Sequence, residues 1–220
     1  MRTLEELIDT DDPGLPLIQE WMQSPQAAGA RLLPRDEDLA KATLLRLQVT
    51  TRSLLGAVVY ETGGITVRNG FLRLLGSGTG RSLLRSNEAI GLLASDNPKI
   101  VLVADDVLGG LFALNGGGLD ATSIGDIFYL GADDSLWTSL EVGYSDFLSW
   151  CLTGDFMAVY APLAELDVFD RQPYPELDAV YSFYPFLWSA EARRAPPSSR
   201  LVPANEHAAM RLELVGFATD

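Results

Sequence analysis

Gly56-Ala57-Val58-Val59-Tyr60-Glu61-Thr62-Gly63-Gly64-Ile65-Thr66-Val67-Arg68-Asn69-Gly70-Phe71-Leu72-Arg73-Leu74-Leu75 is the stretch on which the fold turns. Asn-Gly between apolar runs is the strongest short hairpin signal, because both residues tolerate the positive φ that a tight turn requires. Asn69-Gly70 therefore joins a strand at residues 65–67 to one at 71–75. Val58 and Val59 are β-branched, so residues 56–60 read as a further strand, and Gly63-Gly64 as the turn out of it. Three strands in so short a segment imply an antiparallel meander.

The N-terminal 48 residues, ahead of the meander, read as helices. Leu4, Leu7 and Ile8 share one helical face, and Pro16 opens a second helix carrying Leu17, Ile18 and Trp21, which Ser24-Pro25 interrupts. Asp36 caps a third helix whose buried side is Leu39, Leu44, Leu45 and Leu47. Beyond the meander come a glycine-rich loop at 76–80 and a short helix around 87–93. A strongly apolar strand at 100–104, expected to be buried on both faces, follows them. Further strands are expected at 110–114, 126–130 and 136–140, with Asn115-Gly116-Gly117-Gly118 turning the chain. Tyr144, Phe147, Leu148, Cys151 and Leu152 recur at helical spacing, and Gly154 separates them from a second helical run at 156–166. Residues 167–200 read as irregular, and a last helix starts at Pro203. The expected fold is a single α+β domain. It has a mixed, mostly antiparallel sheet (55–140) packed against a helical N-terminal part (1–48) and a C-terminal part of helices and an aromatic loop (144–220).

Composition narrows the function. The 220 residues are 47% hydrophobic, which suits an ordinary globular chain, and no apolar run reaches membrane-spanning length. Carboxylates crowd the first residues where an export signal needs an apolar stretch, and one cysteine, Cys151, allows no internal disulfide, so the expected location is the cytoplasm. The net charge of −14 is unevenly placed. Residues 100–192 hold fifteen Asp and Glu against the single base Arg171, whereas the rest of the chain holds fifteen acids and fifteen bases. Such a surface repels phosphate backbones, which excludes nucleic acid as a partner, and attracts a basic protein.

The catalytic inventory is thin. His207 is the only histidine and lies in a polar run, where a surface residue is expected. Cys151 sits in the apolar stripe and reads as a small buried hydrophobe. Together they are too few for a zinc site, and Lys41 and Lys99 are the only lysines for Schiff-base chemistry. No cofactor or metal is expected. The loop Gly76-Ser77-Gly78-Thr79-Gly80-Arg81 has the look of an anion cradle, with Arg81 and Arg85 as cations. Its glycines, however, are one residue too close for a P-loop, and Arg81 stands where a P-loop has Lys and a dinucleotide fingerprint its third glycine. Asp105-Asp106 closes the apolar strand, where functional groups are often presented, although neighbours on a strand point to opposite faces. Asp133-Asp134 and the aromatic segment Tyr181-Ser182-Phe183-Tyr184-Pro185-Phe186-Leu187-Trp188 complete the candidates. Asp133, Asp134, Tyr184 and Trp188 are expected at a partner-binding surface, the alternative for the aromatics being packing of a long loop.

The segments LEELIDTDDPGLPLIQEW (4–21), LQVTTRSLLGAVVYETGGI (47–65), LRLLGSG (72–78), LVADDVLGGLFALNGG (102–117), GYSDFLSW (143–150) and FYPFLW (183–188), in this order, resemble a bacterial family known only as domain of unknown function 2625. The resemblance implies a cytosolic bacterial protein and assigns no activity or catalytic residue. More faintly, the order of helix, meander, strand ending in acids, N-G-G turn and aromatic-Ser-Asp-Phe-Leu is similar to the C-terminal half of the SUKH superfamily of immunity-type proteins. Those commonly bind and neutralise toxins. Two functions follow as expectations. One is a non-catalytic, immunity-like module whose acidic surface docks a basic, toxin-like protein. The other is a small-ligand sensor or carboxylate enzyme using the Gly76–Arg85 loop with Asp105 and Asp106.

Overall fold

A computed structural model describes residues 1–194 and 196–217; the last three residues of the expected C-terminal part lie outside the described residues. Helices α1 (Leu4–Leu7) and α2 (Leu15–Trp21) lead to a two-residue strand β1 (Arg31–Leu32), then α3 (Glu37–Leu47) and α4 (Leu54–Glu61). Strands β2 (Gly64–Val67) and β3 (Leu72–Leu75) form the hairpin, and α5 (Leu83–Ala89) follows. Four strands come next: β4 (Ile100–Asp106), β5 (Leu111–Asn115), β6 (Asp126–Leu130) and β7 (Thr138–Gly143). Helix α6 (Tyr144–Thr153), 3₁₀ turns at Phe156–Leu163 and Asp167–Asp170, the pair β8 (Ala179–Tyr184) and β9 (Ser198–Pro203), and α7 (Ala204–Leu214) complete the chain. Strands β1 to β7 lie side by side in chain order, antiparallel at every pair, and β8–β9 is a separate two-stranded sheet. The α+β class and the hairpin of β2 and β3 are as the sequence implied.

The hairpin turn has the geometry that Asn-Gly demands: Asn69 is left-handed at φ 58 and Gly70 follows at φ 96. Asp36 caps α3 as expected, its Oδ1 accepting from the Asp38 and Leu39 amides at 3.0 Å. Strand β4 is buried along its whole length, and Cys151 is buried within α6.

Residues 56–60 are a correction. They form most of α4, not a strand. Leu54 through Val59 are all buried, so the run has no polar face to reveal its period, and β-branching alone does not decide between helix and strand. The decisive group is Ser53, whose hydroxyl accepts from the Gly56 amide at 3.0 Å and starts the helix. The outer strand of the meander is instead β1, inside the part expected to be helical. The short helix lies earlier than expected, at Leu83–Ala89, because Ser82 caps it. The segment read as irregular contains β8 and β9, and the run at 156–166 is 3₁₀ over Phe156–Leu163 and contains Pro162.

The sheet separates two apolar clusters. The larger joins α1 to α4, α6 and the Phe156–Leu163 turn to one face. The smaller gathers Leu111 of β5, Leu130 of β6 and Ala208 and Leu212 of α7 on the other. Antiparallel register then places a row of residues along this second face: Arg31 faces Thr66, Thr66 faces Arg73, Arg73 faces Asp105, and Asp105 faces Leu111. Four of these five residues are polar, and the row positions everything below.

Candidate functional site

The pleat of β4 sends its two terminal carboxylates to opposite faces. Asp105 enters the polar row and is only 2% exposed. Its Oδ1 accepts from Nε of Arg73 at 2.7 Å, and Arg81 pairs with its Oδ2. Both guanidiniums have further tasks. Arg73 donates to the carbonyls of Ala179 at 2.6 Å and Asp106 at 3.2 Å, and Arg81 donates to the carbonyl of Leu177 at 3.0 Å. Burial pulls the Arg73 pKa below its usual range, and the Asp105 charge opposes that shift. One carboxylate thus bridges two buried guanidiniums that hold the segment entering β8 against the sheet.

Asp106 faces the larger core and is fully buried. Its Oδ1 accepts from the amides of Leu108 at 2.8 Å and Gly110 at 2.9 Å, and its Oδ2 from the phenols of Tyr129 at 3.0 Å and Tyr160 at 2.9 Å. Burial raises its pKa, against which the Gly110 amide and the two phenols act. Four donors fill the carboxylate, leaving it as the hub of the β4–β5 turn with no free lone pair aimed at a ligand. Among the described residues, no group of three or more His, Cys, Asp or Glu could hold a metal ion.

The glycine-rich loop does bring Arg81 to Asp105, but its glycines serve packing. A Cβ on Gly76 would lie 2.4 Å from the Gly64 nitrogen, and one on Gly78 2.8 Å from the Gly63 oxygen, so the loop lies flush on the α4–β2 connection. Ser77 is buried and donates to the Val59 carbonyl at 2.5 Å. Arg85 is exposed, reaching only the Thr79 carbonyl at 3.4 Å. The structure therefore joins Arg81 with Asp105, and leaves Arg85 outside and Asp106 on the far face.

His207 corrects the expectation of a surface residue. It is buried with Ala208, Arg211 and Leu212 on the side of α7 that faces the sheet. Neither ring nitrogen has a hydrogen bond of good geometry among the described residues; the nearby Gly109 backbone favours the proton only weakly. Burial, then the Arg211 charge, lowers its pKa to about 4. Arg211 is itself buried; it donates to the carbonyls of Gly131 at 2.9 Å and Asp134 at 2.8 Å, and lies 4.4 Å from the Trp188 ring centre. Burial lowers its pKa to about 10. The four residues expected at a partner surface therefore divide. Asp133 and Asp134 have exposed side chains, Tyr184 is 77% exposed, and Trp188 is half-buried over Arg211 and stacked on Phe186 at 4.5 Å.

Of the fifteen acids between 100 and 192, twelve are exposed; Asp105 and Asp106 are buried and Asp126 is intermediate. The one base of this stretch, Arg171, pairs with Asp167 at 2.5 Å and lies 5.6 Å from the Tyr181 ring centre. Arg73 and Arg211 are the polar residues that sequence reasoning missed. Arg73 had a signal, a cation inside the apolar run Leu72-Arg73-Leu74-Leu75, which requires a buried partner. Arg211 had none, since it partners backbone carbonyls that no motif marks. No described helix is long and apolar enough to cross a membrane.

Comparison with known proteins gives relatives and no chemistry. Residues 4–207 match the family model described as protein of unknown function DUF2625. The uncharacterized protein YbfG of Escherichia coli (strain K12) is 41% identical over 203 residues, covering 88% of this chain and 89% of that protein. An uncharacterized protein of Haemophilus influenzae (strain ATCC 51907 / DSM 11121 / KW20 / Rd) is 40% identical over 191 residues, covering 85% and 83%.

Proposed function

The chain belongs to the DUF2625 family, and from that premise we propose that it is a non-catalytic, cytoplasmic binding protein of the immunity-like kind, whose exposed carboxylates dock a basic protein. One observation carries this reading. Twelve exposed acids on residues 100–192 face solvent with no free base among them, because Arg171 is already paired. The buried polar groups support it from the other side. Asp105 is ion-paired with two buried guanidiniums and Asp106 accepts from two amides and two phenols, so the pair that offered carboxylate catalysis is engaged in holding structure. An uncompensated acidic surface accelerates encounter with a cationic partner and makes the affinity fall with salt.

Affinity capture with mass spectrometry, at low and at high salt, tests this. The expected result is one saturable basic partner, captured at low salt and released at high salt, and lost by a variant in which Asp133, Asp134, Glu141 and Asp146 become Lys. A partner retained equally by that variant, or held independently of salt, overturns the reading.

A further inference from the structure

A groove of about 560 Å³ runs between the β1–β2 edge of the sheet and the strap of residues 172–177 that leads into β8. This volume falls inside the range of roughly 300–1,000 Å³ typical of small-molecule sites. Its floor carries Thr66, only 8% exposed, whose hydroxyl makes no hydrogen bond among the described residues although it lines the groove. A hydroxyl with an unused donor and acceptor in a groove lining is open to a polar atom of whatever occupies the groove. Beside Thr66 in the same register row stands Arg31 on β1, exposed and without an ion pair among the described residues. Tyr174 and Leu177 give the opposite wall apolar surface, and Glu176 gives it an exposed carboxylate that is likewise unpaired among the described residues. The wall is anchored, since Arg81 holds the Leu177 carbonyl, Arg73 holds that of Ala179, and the Tyr174 ring meets Phe71 edge-on at 5.5 Å.

We propose that this groove binds a small zwitterion of the α-amino-acid type, its carboxylate on Arg31, its ammonium on Glu176 and a polar atom on Thr66. The two free charges lie on opposite walls, which selects a ligand carrying both signs. A purely anionic ligand is disfavoured by the protein's net charge of −14. A purely cationic ligand would leave Arg31 unanswered. A guanidinium offers a carboxylate two parallel donors, which fixes the orientation of the ligand. A free amino acid and the ends of a short peptide share this chemistry, and the volume admits either.

The test uses the full chain and isothermal titration calorimetry against single amino acids and dipeptides, with N-acetylated and C-amidated forms of any that bind. The expected result is saturable binding that weakens at least about tenfold, equal to about 1.4 kcal/mol, when either end is capped and in Arg31→Gln or Glu176→Gln. Arg31 and Glu176 are exposed, so these variants fold, which thermal melts verify. Thr66→Ser, which keeps the hydroxyl, retains binding, and Thr66→Val loses it. Tighter binding by dipeptides than by free amino acids assigns the peptide source, and the converse assigns the amino acid. Absence of heat with every member at about 10 mM, where even a millimolar Kd would register, overturns the proposal. So does binding indifferent to Arg31→Gln. Neither outcome decides the basic-partner reading, whose test changes Asp133, Asp134, Glu141 and Asp146 and leaves Arg31 and Glu176 in place.

Discussion

Replacing Asp105 by Asn keeps the shape of the side chain and removes the charge that two buried guanidiniums share. Arg73 is 1% exposed and Arg81 scarcely more, so neither reaches water without moving. Arg73 is tied by three acceptors, the Asp105 carboxylate and the carbonyls of Ala179 and Asp106, which prevents it from swinging out. Breaking a buried ion pair by removing one partner costs about 3–5 kcal/mol, because the remaining charge stays desolvated and uncompensated. For a chain of this size each kcal/mol lowers Tm by roughly 2–4 °C, so the variant should melt about 6–20 °C lower. Urea unfolding followed by far-ultraviolet circular dichroism reads the free energy directly. Arg81→Leu closes a double-mutant cycle with Asp105→Asn. Since the second cation is then absent, the double variant should lose less than the sum of the single losses, by about 1–3 kcal/mol. A loss below about 1 kcal/mol for Asp105→Asn, with additive behaviour, would mean that the cluster is solvated and that neither guanidinium depends on the Asp105 charge.

Three further outcomes follow from the polar interior. Asp106→Asn places an NH₂ group against hydroxyl or amide donors where a carboxylate accepted four bonds, and should cost about 2–4 kcal/mol in urea unfolding. Gly109→Ala meets both a φ of +87 and a Cβ position 2.3 Å from Nε2 of His207, and should cost about 2–4 kcal/mol, relieved in part by His207→Ala. His207, with Arg211, Asp105 and Arg73 around it, has a folded pKa near 4, below the ordinary 6.5 of an unfolded histidine. The unfolded chain therefore binds the proton more readily. The stability that neutral His207 provides is complete above pH 6.5 and is lost as pH falls through about 4. The loss amounts to about 3 kcal/mol, and a comparison of unfolding at a series of pH values should find this slope missing in His207→Gln. Asp106, whose pKa is raised, acts in the opposite sense, its contribution being lost as pH rises through its folded pKa.

The chain announced its fold where local chemistry is self-sufficient. Asn69-Gly70 needs no tertiary partner to turn, Asp36 caps its helix from within, and the stripe from Tyr144 to Leu152 repeats at helical spacing. It misled where burial is complete. Residues 54–59 lie inside the core on all sides, so their apolar run carries no period, and only the Ser53 cap betrays a helix. Strands β8 and β9 were hidden for a different reason, since they pair with each other across an aromatic and proline-rich segment that carries no hairpin signal. At the polar site, Asp105 was visible as a strand-end acid and Arg81 as a loop cation, but nothing local shows that the loop after β3 returns Arg81 to Asp105, beside the Arg73 that the β3–β4 register sets opposite it. His207 was misplaced because the polar residues around it in sequence do not disclose that α7 turns His207 and Arg211 inward.

The strand-end carboxylate Asp105 fastens structure, with Arg81 linking it to the strap that enters β8. Hydrogen–deuterium exchange of Arg81→Gln against the unaltered chain tests this most directly. Amides of the strap and of β8, residues 174–184, should lose at least about tenfold protection, while β4 and β5 keep theirs. Unchanged protection in the strap, or equal loss throughout the sheet, would contradict it.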